Sequence, residues 1–171
     1  MSSTLSYLST GDATFTLPVS GEKKSIIRRQ DVTPVVAFYA RLTNQVYQAG
    51  LHQIIAFDNV TTNIGGAYNP HVGTFIAPVR GVYVFSTSLL GYAYEQVHGG
   101  ITKNGHVISY LYLKDVESQY GSDSATVVLH LNKGDNVDVQ TLSSDSSLYL
   151  YSQFSGFLLH ADEHSVSIVG K

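Results

Sequence analysis

Gly81-Val82-Tyr83-Val84-Phe85-Ser86-Thr87-Ser88-Leu89-Leu90, closed by Gly91, is the stretch of this sequence that decides the fold. β-Branched and aromatic side chains suit the pleated, half-buried surface of a sheet, and glycines mark where a strand begins or ends. The stretch therefore predicts one long β-strand.

Two turn signals follow downstream. Asn104-Gly105 separates two β-prone runs, and this dipeptide strongly predicts a hairpin because a type I′ turn needs positive φ at both central residues. Asn132-Lys133-Gly134-Asp135 follows the run Ala125–Leu131 and predicts a second turn.

The segments at the two ends of this region also predict strands. Val35–Ala40 is apolar at successive positions, as in a strand covered on both faces. A last strand is expected from Leu148 to Leu159, with Gly156 at a β-bulge. No helical stripe of ten or more residues is found, so the sequence predicts an all-β sandwich, barrel or jelly roll.

Composition excludes several classes of protein. Hydrophobic residues make up 43% of the chain and charged residues 13%, with a formal net charge of −3. A chain this apolar is not disordered, and without a basic field it is not expected to bind nucleic acid. It has no cysteine, which excludes disulfides and thiolate ligands. No apolar run approaches the roughly 18 residues of a membrane-spanning helix.

We expect one main domain within the 171 residues, at 34–160, between an N-terminal segment at 1–33 and a tail at 161–171. The first segment is polar and has a basic cluster, which is either a solvated, flexible stretch or a patch for membranes or polyanions. The cluster consists of Lys23, Lys24, Arg28 and Arg29. The polar start lacks a signal peptide, leaving either a cytosolic protein or the mature form of a secreted one.

Residues upstream of the quoted stretch have a specific spacing. Four of them precede Gly81 by 24, 18, 13 and 6 positions: Phe57, Asn63, Tyr68 and Phe75. This pattern resembles the signature of the complement C1q globular-head family, within the C1q/tumour necrosis factor superfamily. The one departure is Thr87, where the family usually has another aromatic residue.

Five further segments resemble the same family, so that the resemblance covers residues 34–160. They are Val36–Ala40, Ile76–Gly81, Ile101–Gly105, Leu129–Val137 and Phe154–Leu159.

The resemblance implies a ten-stranded, two-sheet jelly-roll β-sandwich that assembles as a compact homotrimer. It also implies secretion and the recognition of varied ligands. No Gly-X-Y collagen repeat is present. The chain therefore looks like the stalkless members common among invertebrates, and activation of proteases through a collagen arm is not expected. We expect the spaced aromatics to form the core: Phe57, Tyr68, Phe75, Tyr83, Phe85 and Phe157.

Acidic residues in the loop after the hairpin are candidate metal ligands. Asp115, Glu117 and Asp123 fall within nine residues, and their carboxylate oxygens suit calcium. Several family members place calcium near the trimer apex in about this loop. The alternative is a solvated acidic loop, in which case no cofactor is bound.

Three tyrosine pairs occur at i, i+2, which places both rings on one face of a strand. They are Tyr92 and Tyr94, Tyr110 and Tyr112, and Tyr149 and Tyr151. Tyrosine suits both a subunit interface and a sugar-stacking surface. Tyr110 and Tyr112 are candidate ligand-binding residues, as are Tyr92, Tyr94 and the adjacent Glu95.

Neither catalysis nor a histidine metal site is indicated. No nucleophile-elbow, phosphate-loop or His-Glu-x-x-His motif is present, so no catalytic residue is assigned. His130 lies in a β-run and is interpreted as a satisfied strand histidine. Asn59-Val60-Thr61 is an N-glycosylation sequon, usable at Asn59 if the protein is secreted.

Three functions remain open. The leading hypothesis is a secreted, trimeric pattern-recognition lectin for carbohydrate or microbial surface polymers. The second is a ligand for a host protein receptor, in the manner of cytokine-like or synaptic family members. The third is an extracellular matrix or biomineral protein.

Overall fold

The computed structural model describes residues 14–16, 25–27, 34–91, 96–113, 120–144 and 146–162. Within these ranges every regular element is a β-strand, and no stretch forms a helix that could cross a membrane. The strands are β1 (Thr14–Thr16), β2 (Ser25–Ile27), β3 (Ala37–Arg41), β4 (Val46–Ala49), β5 (Asn59–Ile64), β6 (Tyr68–Asn69), β7 (Thr74–Ile76), β8 (Gly81–Gly91), β9 (Val97–Lys103), β10 (His106–Leu113), β11 (Gly121–Leu131), β12 (Asn136–Thr141), β13 (Ser146–Leu148) and β14 (Gln153–Ala161).

The chain divides into two units, Met1–Thr33 and Pro34–Lys171. In the first unit β1 and β2 form an antiparallel pair in which Phe15 lies opposite Ile26.

The second unit contains two antiparallel sheets. One has seven strands: six follow the order β4-β13-β8-β14-β3-β5, and the seventh, β11, pairs with the edge of β8 opposite β14. The other has five strands in the order β10-β9-β12-β7-β6. These are the two layers of a jelly roll, so the predicted all-β jelly-roll fold is confirmed. The central strand of the larger sheet is β8, the stretch quoted first, and its residues alternate between buried and half-buried positions.

Aromatic rings fill the space between the sheets. Phe38 stacks on Tyr68 at a centroid distance of 4.5 Å and meets the edge of Phe154 at 5.0 Å. Phe75 and Phe85 meet edge to face at 5.1 Å. Burial of Phe57, Tyr68, Phe75, Tyr83 and Phe85 is as predicted. Burial raises the pKa of the hydroxyl groups of Tyr68 and Tyr83, and both hydroxyls bond to backbone carbonyls.

The prediction that Phe157 belongs to this core is wrong. Its side chain is 45% exposed. Side chains alternate across a strand, and Phe154 reaches the core from β14. Gly156 also faces inward, which places Phe157 on the outer face of the seven-stranded sheet.

The predicted bulge at Gly156 is also wrong. Gly156 pairs in regular register with Phe38 on β3 and Phe85 on β8. The irregularity lies between Leu158 and His160. The position needs glycine for space, because a Cβ there would lie 2.4 Å from Phe85 Cδ1 and 2.8 Å from Phe38 Cε1.

The last predicted strand is two strands. β13 ends at Leu148, a turn follows in which Ser152 N–H donates to Tyr149 O (3.0 Å), and β14 begins at Gln153. Tyr149 and Tyr151 therefore lie in a turn, and they do not share one face of a strand. Their rings are in contact at a centroid distance of 5.5 Å, and the ring of Tyr120 lies 5.1 Å from that of Tyr149.

Both predicted turns are confirmed. Asn104 and Gly105 have φ of 50° and 76°, and they connect β9 to β10. In the second turn Asp135 N–H donates to Asn132 O (3.0 Å). The carboxylate of Asp135 accepts hydrogen bonds from Asn104 Nδ2 and Asn132 N–H, which lowers its pKa together with the nearby Lys103. These bonds tie the two turns together at one end of the sandwich.

Candidate ligand-binding face

The outer face of the five-stranded sheet has three rows of side chains on β10, β9 and β12. The strand registers place Val107, Thr102 and Asp138 in one row and Tyr110, Gly100 and Gln140 in the next. Tyr112 and His98 form the third row. The intervening residues, such as Ile101, Leu111 and Val139, point into the core. We call this surface the β9–β10–β12 face.

A β-bulge sets which tyrosines reach this face. The register of β10 shifts between Val107 and Ser109, so Ile108 is an extra residue relative to β9. An extra residue reverses which side chains point outward. Because of the bulge, Leu111 turns inward while Tyr110 and Tyr112 turn to solvent.

An aromatic group occupies one side of the face. Tyr110 is 68% exposed and Tyr112 is 52% exposed, although both belong to a regular strand. The ring of His98 lies edge to face with Tyr112 at 5.4 Å and 6.5 Å from Tyr110. Exposed rings on a rigid sheet can stack on an apolar surface of a ligand, and their polar atoms can form hydrogen bonds.

A polar group lies on the other side of the face. Asp138 is only 3% exposed. Its Oδ1 accepts hydrogen bonds from Thr102 Oγ1 (2.6 Å) and Gln140 Nε2 (2.9 Å). Its Oδ2 has no hydrogen-bond partner among the described residues. In that part of the chain, the one fully buried side-chain oxygen or nitrogen without a partner is Asn136 Oδ1, so Oδ2 of Asp138 keeps some exposure to solvent.

Apolar side chains join the two groups across Gly100. A Cβ on this glycine would lie 3.0 Å from Leu142 Cδ1 and 3.2 Å from Val107 Cγ1. Leu142 is held in place by its N–H, which donates to His98 O (2.7 Å). The face thus combines rings, a small apolar floor and fixed hydrogen-bonding groups.

The structure places only some of the predicted site residues. Tyr110 and Tyr112 lie on the β9–β10–β12 face. Five others fall outside the described residues: Tyr92, Tyr94, Glu95, Asp115 and Glu117. Asn59 is exposed at the start of β5. Whether any of them binds a ligand, calcium or a glycan stays a prediction.

Asp123, the one described residue of the predicted calcium set, lies where β11 passes β10. Its carboxylate accepts the N–H groups of Tyr112 (3.0 Å) and Ser124 (2.8 Å). In the part of the chain that the structure describes, no three histidine or acidic side chains are grouped as metal ligands would be.

Sequence reasoning did not assign four residues of the face to ligand binding: His98, Thr102, Asp138 and Gln140. A signal was available in Val137-Asp138-Val139-Gln140, whose strict alternation of apolar and polar residues predicts two polar side chains on one outer face. The pairing of β12 with β9, which brings Thr102 to Asp138, joins residues 36 positions apart. Local sequence patterns do not specify such a pairing.

The outer face of the seven-stranded sheet differs in character. An apolar row crosses five strands by direct pairing and consists of Val128, Val84, Phe157, Ala37 and Ile64. Several of these side chains are exposed, Val128 by 63%. Below this apolar row, Ser86 Oγ and Thr126 Oγ1 share a hydrogen bond (3.0 Å).

One end of the same face carries an ion-pair group. The carboxylate of Asp162 contacts Arg80 Nε (2.8 Å) and His130 Nε2 (2.9 Å). The hydrogen bond from His130 is the main cause of the lowered pKa of Asp162. His130 therefore has a partner within its own chain.

A protein-family model described as the C1q domain matches residues 37–159. This chain belongs to the C1q domain family. Relatives of this C1q domain include the "Heavy metal-binding protein HIP" of Mytilus edulis, 31% identical over 129 residues. They also include the human "Complement C1q tumor necrosis factor-related protein 3", 33% identical over 129 residues. The alignments cover 73% and 72% of this chain but only 61% and 51% of the relatives.

Solved structures show the same fold. The "Globular Domain of Zebrafish Complement 1qA protein" matches with a TM-score of 0.64 at 22% identity, covering 75% of this chain and 99% of that one. Murine APRIL at pH 5.0 matches with a TM-score of 0.59 at 13% identity, covering 73% of this chain and 99% of that one. C1q and tumour-necrosis-factor-like domains are typically binding proteins that form trimers.

Proposed function

We propose that this C1q domain is a secreted, lectin-like recognition protein that binds carbohydrate through the β9–β10–β12 face and catalyses no reaction. The observation that supports this most is the exposed aromatic group of His98, Tyr110 and Tyr112 beside the hydrogen-bonded polar group around Asp138. Sugars present both an apolar ring face and many hydroxyls, so they fit a surface that offers rings and hydrogen-bonding groups together. Relatives in this family are generally secreted, which supports an extracellular role.

Removing the two tyrosine rings is expected to weaken sugar binding. Each stacked aromatic contact contributes about 0.5–1.5 kcal/mol beyond area burial, so the double variant Tyr110→Ala/Tyr112→Ala should lose about tenfold or more in affinity. A glycan array would identify ligands for the wild type, and calorimetry would compare the variants on the best one. Tyr47→Ala is the matched control, because Tyr47 is equally exposed but lies on β4 of the other sheet.

A wild type that binds no glycan and no bacterial polymer would argue against a lectin. Tight binding to one host protein, unaffected by sugar competition, would instead favour a receptor ligand. Repeating the array with a chelator tests the calcium site predicted at Asp115, Glu117 and Asp123.

We also infer that three copies assemble through the outer face of the seven-stranded sheet. In a single chain the row from Val128 to Ile64 exposes contiguous apolar side chains, and such surfaces in soluble proteins usually meet a partner. Assembly through this face also explains why Val35–Ala40 is apolar at successive positions. Three equivalent sugar sites would raise avidity by about 10²–10⁴ over one site.

A charge in this row is expected to dissociate the trimer. Val128→Asp would place an unpaired carboxylate in an apolar contact, which is costly to bury. Light scattering should give a mass near three times 18.6 kDa for the wild type and near 18.6 kDa for the variant. Val72→Asp is the control, since Val72 is also exposed (53%) but lies outside the row. A monomeric wild type at micromolar concentration would contradict this assembly.

A further inference from the structure

The carboxylate of Asp138 gives the β9–β10–β12 face a selectivity that the aromatic group alone would not have. We propose that this face accepts amino sugars best, neutral sugars next and anionic sugars least, because the open oxygen of Asp138 receives a hydrogen bond from the ligand. This inference rests on the proposed carbohydrate-binding function and names the class of sugar that the same site takes.

The local bonding leaves one oxygen of Asp138 for a ligand. Thr102 and Gln140 both donate to Oδ1, which fixes the orientation of the carboxylate. Oδ2 has no donor among the described residues, although the side chain is almost fully buried. Because Oδ2 keeps some exposure and has no donor in the described part of the chain, a ligand hydroxyl or ammonium group can form a hydrogen bond with it.

The charge around Asp138 is not neutralised within its face. In the described part of the chain, the ion pairs involve only Asp135 and Asp162, with Lys103, Arg80 and His130 as partners. None of the residues assigned to the face is lysine or arginine. An ammonium group on a ligand would form a charge-assisted hydrogen bond with Asp138, whereas a sulfate or carboxylate would be repelled.

The distance to the tyrosines suits a short oligosaccharide. Asp138 and Tyr110 lie on β12 and β10, which are separated by β9. Two interstrand spacings amount to about 10 Å, a span that a sugar chain can bridge. One ring can therefore stack on Tyr110 while its neighbour reaches Asp138.

Three trisaccharides test this order by calorimetry: a glucosamine trimer, its N-acetylated neutral form and a sulfated trimer. Wild type is expected to bind the glucosamine trimer best and the sulfated trimer worst. Asp138→Asn keeps an oxygen for Thr102 and Gln140 but replaces the open oxygen with an NH₂ donor. The glucosamine trimer should then lose about tenfold or more, as expected when a charge-assisted hydrogen bond is lost, while the neutral trimer changes less.

Asp58→Asn is the matched control, because it makes the same change in net charge at an exposed site on the chain that precedes β5. A second measurement needs no variant: the preference of wild type for the amino over the neutral trimer should shrink as salt rises from low to high concentration.

The outcomes separate the two proposals. If wild type binds all three trimers equally, or if Asp138→Asn leaves their order unchanged, the role of Asp138 is wrong while the sugar-binding face stands. If wild type binds none of the trimers and no other glycan, the proposed function fails and this inference fails with it.

Discussion

Replacing Phe85 with alanine is expected to destabilise the domain by about 3–5 kcal/mol, a cost typical of removing a fully buried phenylalanine. Phe85 lies at the middle of β8, with ring centroids of Phe75, Phe154 and Phe38 at 5.1, 6.1 and 6.4 Å. The surrounding rings belong to three different strands, so they cannot close around the cavity without moving backbone. Such a loss is a large part of the roughly 5–15 kcal/mol that stabilises a typical domain.

Guanidinium unfolding followed by circular dichroism would measure this loss. Wild type and variant must be compared at one protein concentration, because trimer assembly adds to apparent stability. Tyr47→Ala serves as the control, since an exposed position usually changes stability by less than about 0.5 kcal/mol. A Phe85→Ala variant within 1 kcal/mol of wild type would mean that the aromatic core is not the basis of this fold.

The core aromatics were predicted from their resemblance to the C1q signature, and the alternation of residues along β8 agrees with that prediction. The alternation in Gly81–Leu90 identifies which residues of β8 share a face, and the structure buries Tyr83, Phe85 and Leu89 together. Thr87, the departure from the family pattern, also lies on this inner face, where its Oγ1 donates to Gln153 O (2.8 Å). A hydroxyl with a backbone partner therefore replaces an aromatic ring without leaving a polar atom unpaired.

Phe157 shows where this reasoning fails. It follows Gly156 in a segment of apolar residues, and nothing local indicates which of its neighbours points inward. Which side chains of β14 point inward is decided by its pairing with β3 and β8, where the partners of Phe157 are Ala37 and Val84, 120 and 73 positions away. The same limit explains why the sequence predicted Tyr110 and Tyr112 as ligand-binding residues but did not place Asp138, Thr102 and His98 with them. The bulge at Ile108 and the order of strands bring these residues to one face.

The two outer faces of the sandwich suit different partners. The apolar row on the seven-stranded sheet suits another copy of the same chain, because burial of aliphatic side chains and Phe157 is favourable and needs no polar partner. The β9–β10–β12 face instead combines rings with the nearly buried carboxylate of Asp138, and a hydrophobic partner would cover its Oδ2 without offering a hydrogen bond. This difference supports assembly on one sheet and ligand recognition on the other.

Gly156→Ala is expected to destabilise the domain by about 3 kcal/mol, at the upper end of the range for an overpacked core. The added Cβ would lie 2.4 and 2.7 Å from two ring atoms of Phe85 and 2.8 Å from Phe38 Cε1. Phe85 and Phe38 are packed rings with no free direction in which to turn, so β14 would have to move away from β3 and β8. Guanidinium unfolding measures the loss, with Ser155→Ala, the neighbouring residue on the opposite side of β14, as the control.

A double-mutant cycle shows whether the clash with Phe85 is the cause. Phe85→Leu shortens the side chain that the new methyl group would strike, so the alanine at 156 should cost less in that background than in wild type. Contacting residues typically couple by about 0.5–3 kcal/mol, and we expect a coupling of that size and in the direction of rescue. If the two losses simply add, the ring of Phe85 is not what excludes a side chain at position 156, and the close approach of β14 to the core would have another cause. A Gly156→Ala variant as stable as wild type would show that the core can accommodate a methyl group at this position. That result would contradict the close packing described between β3, β8 and β14.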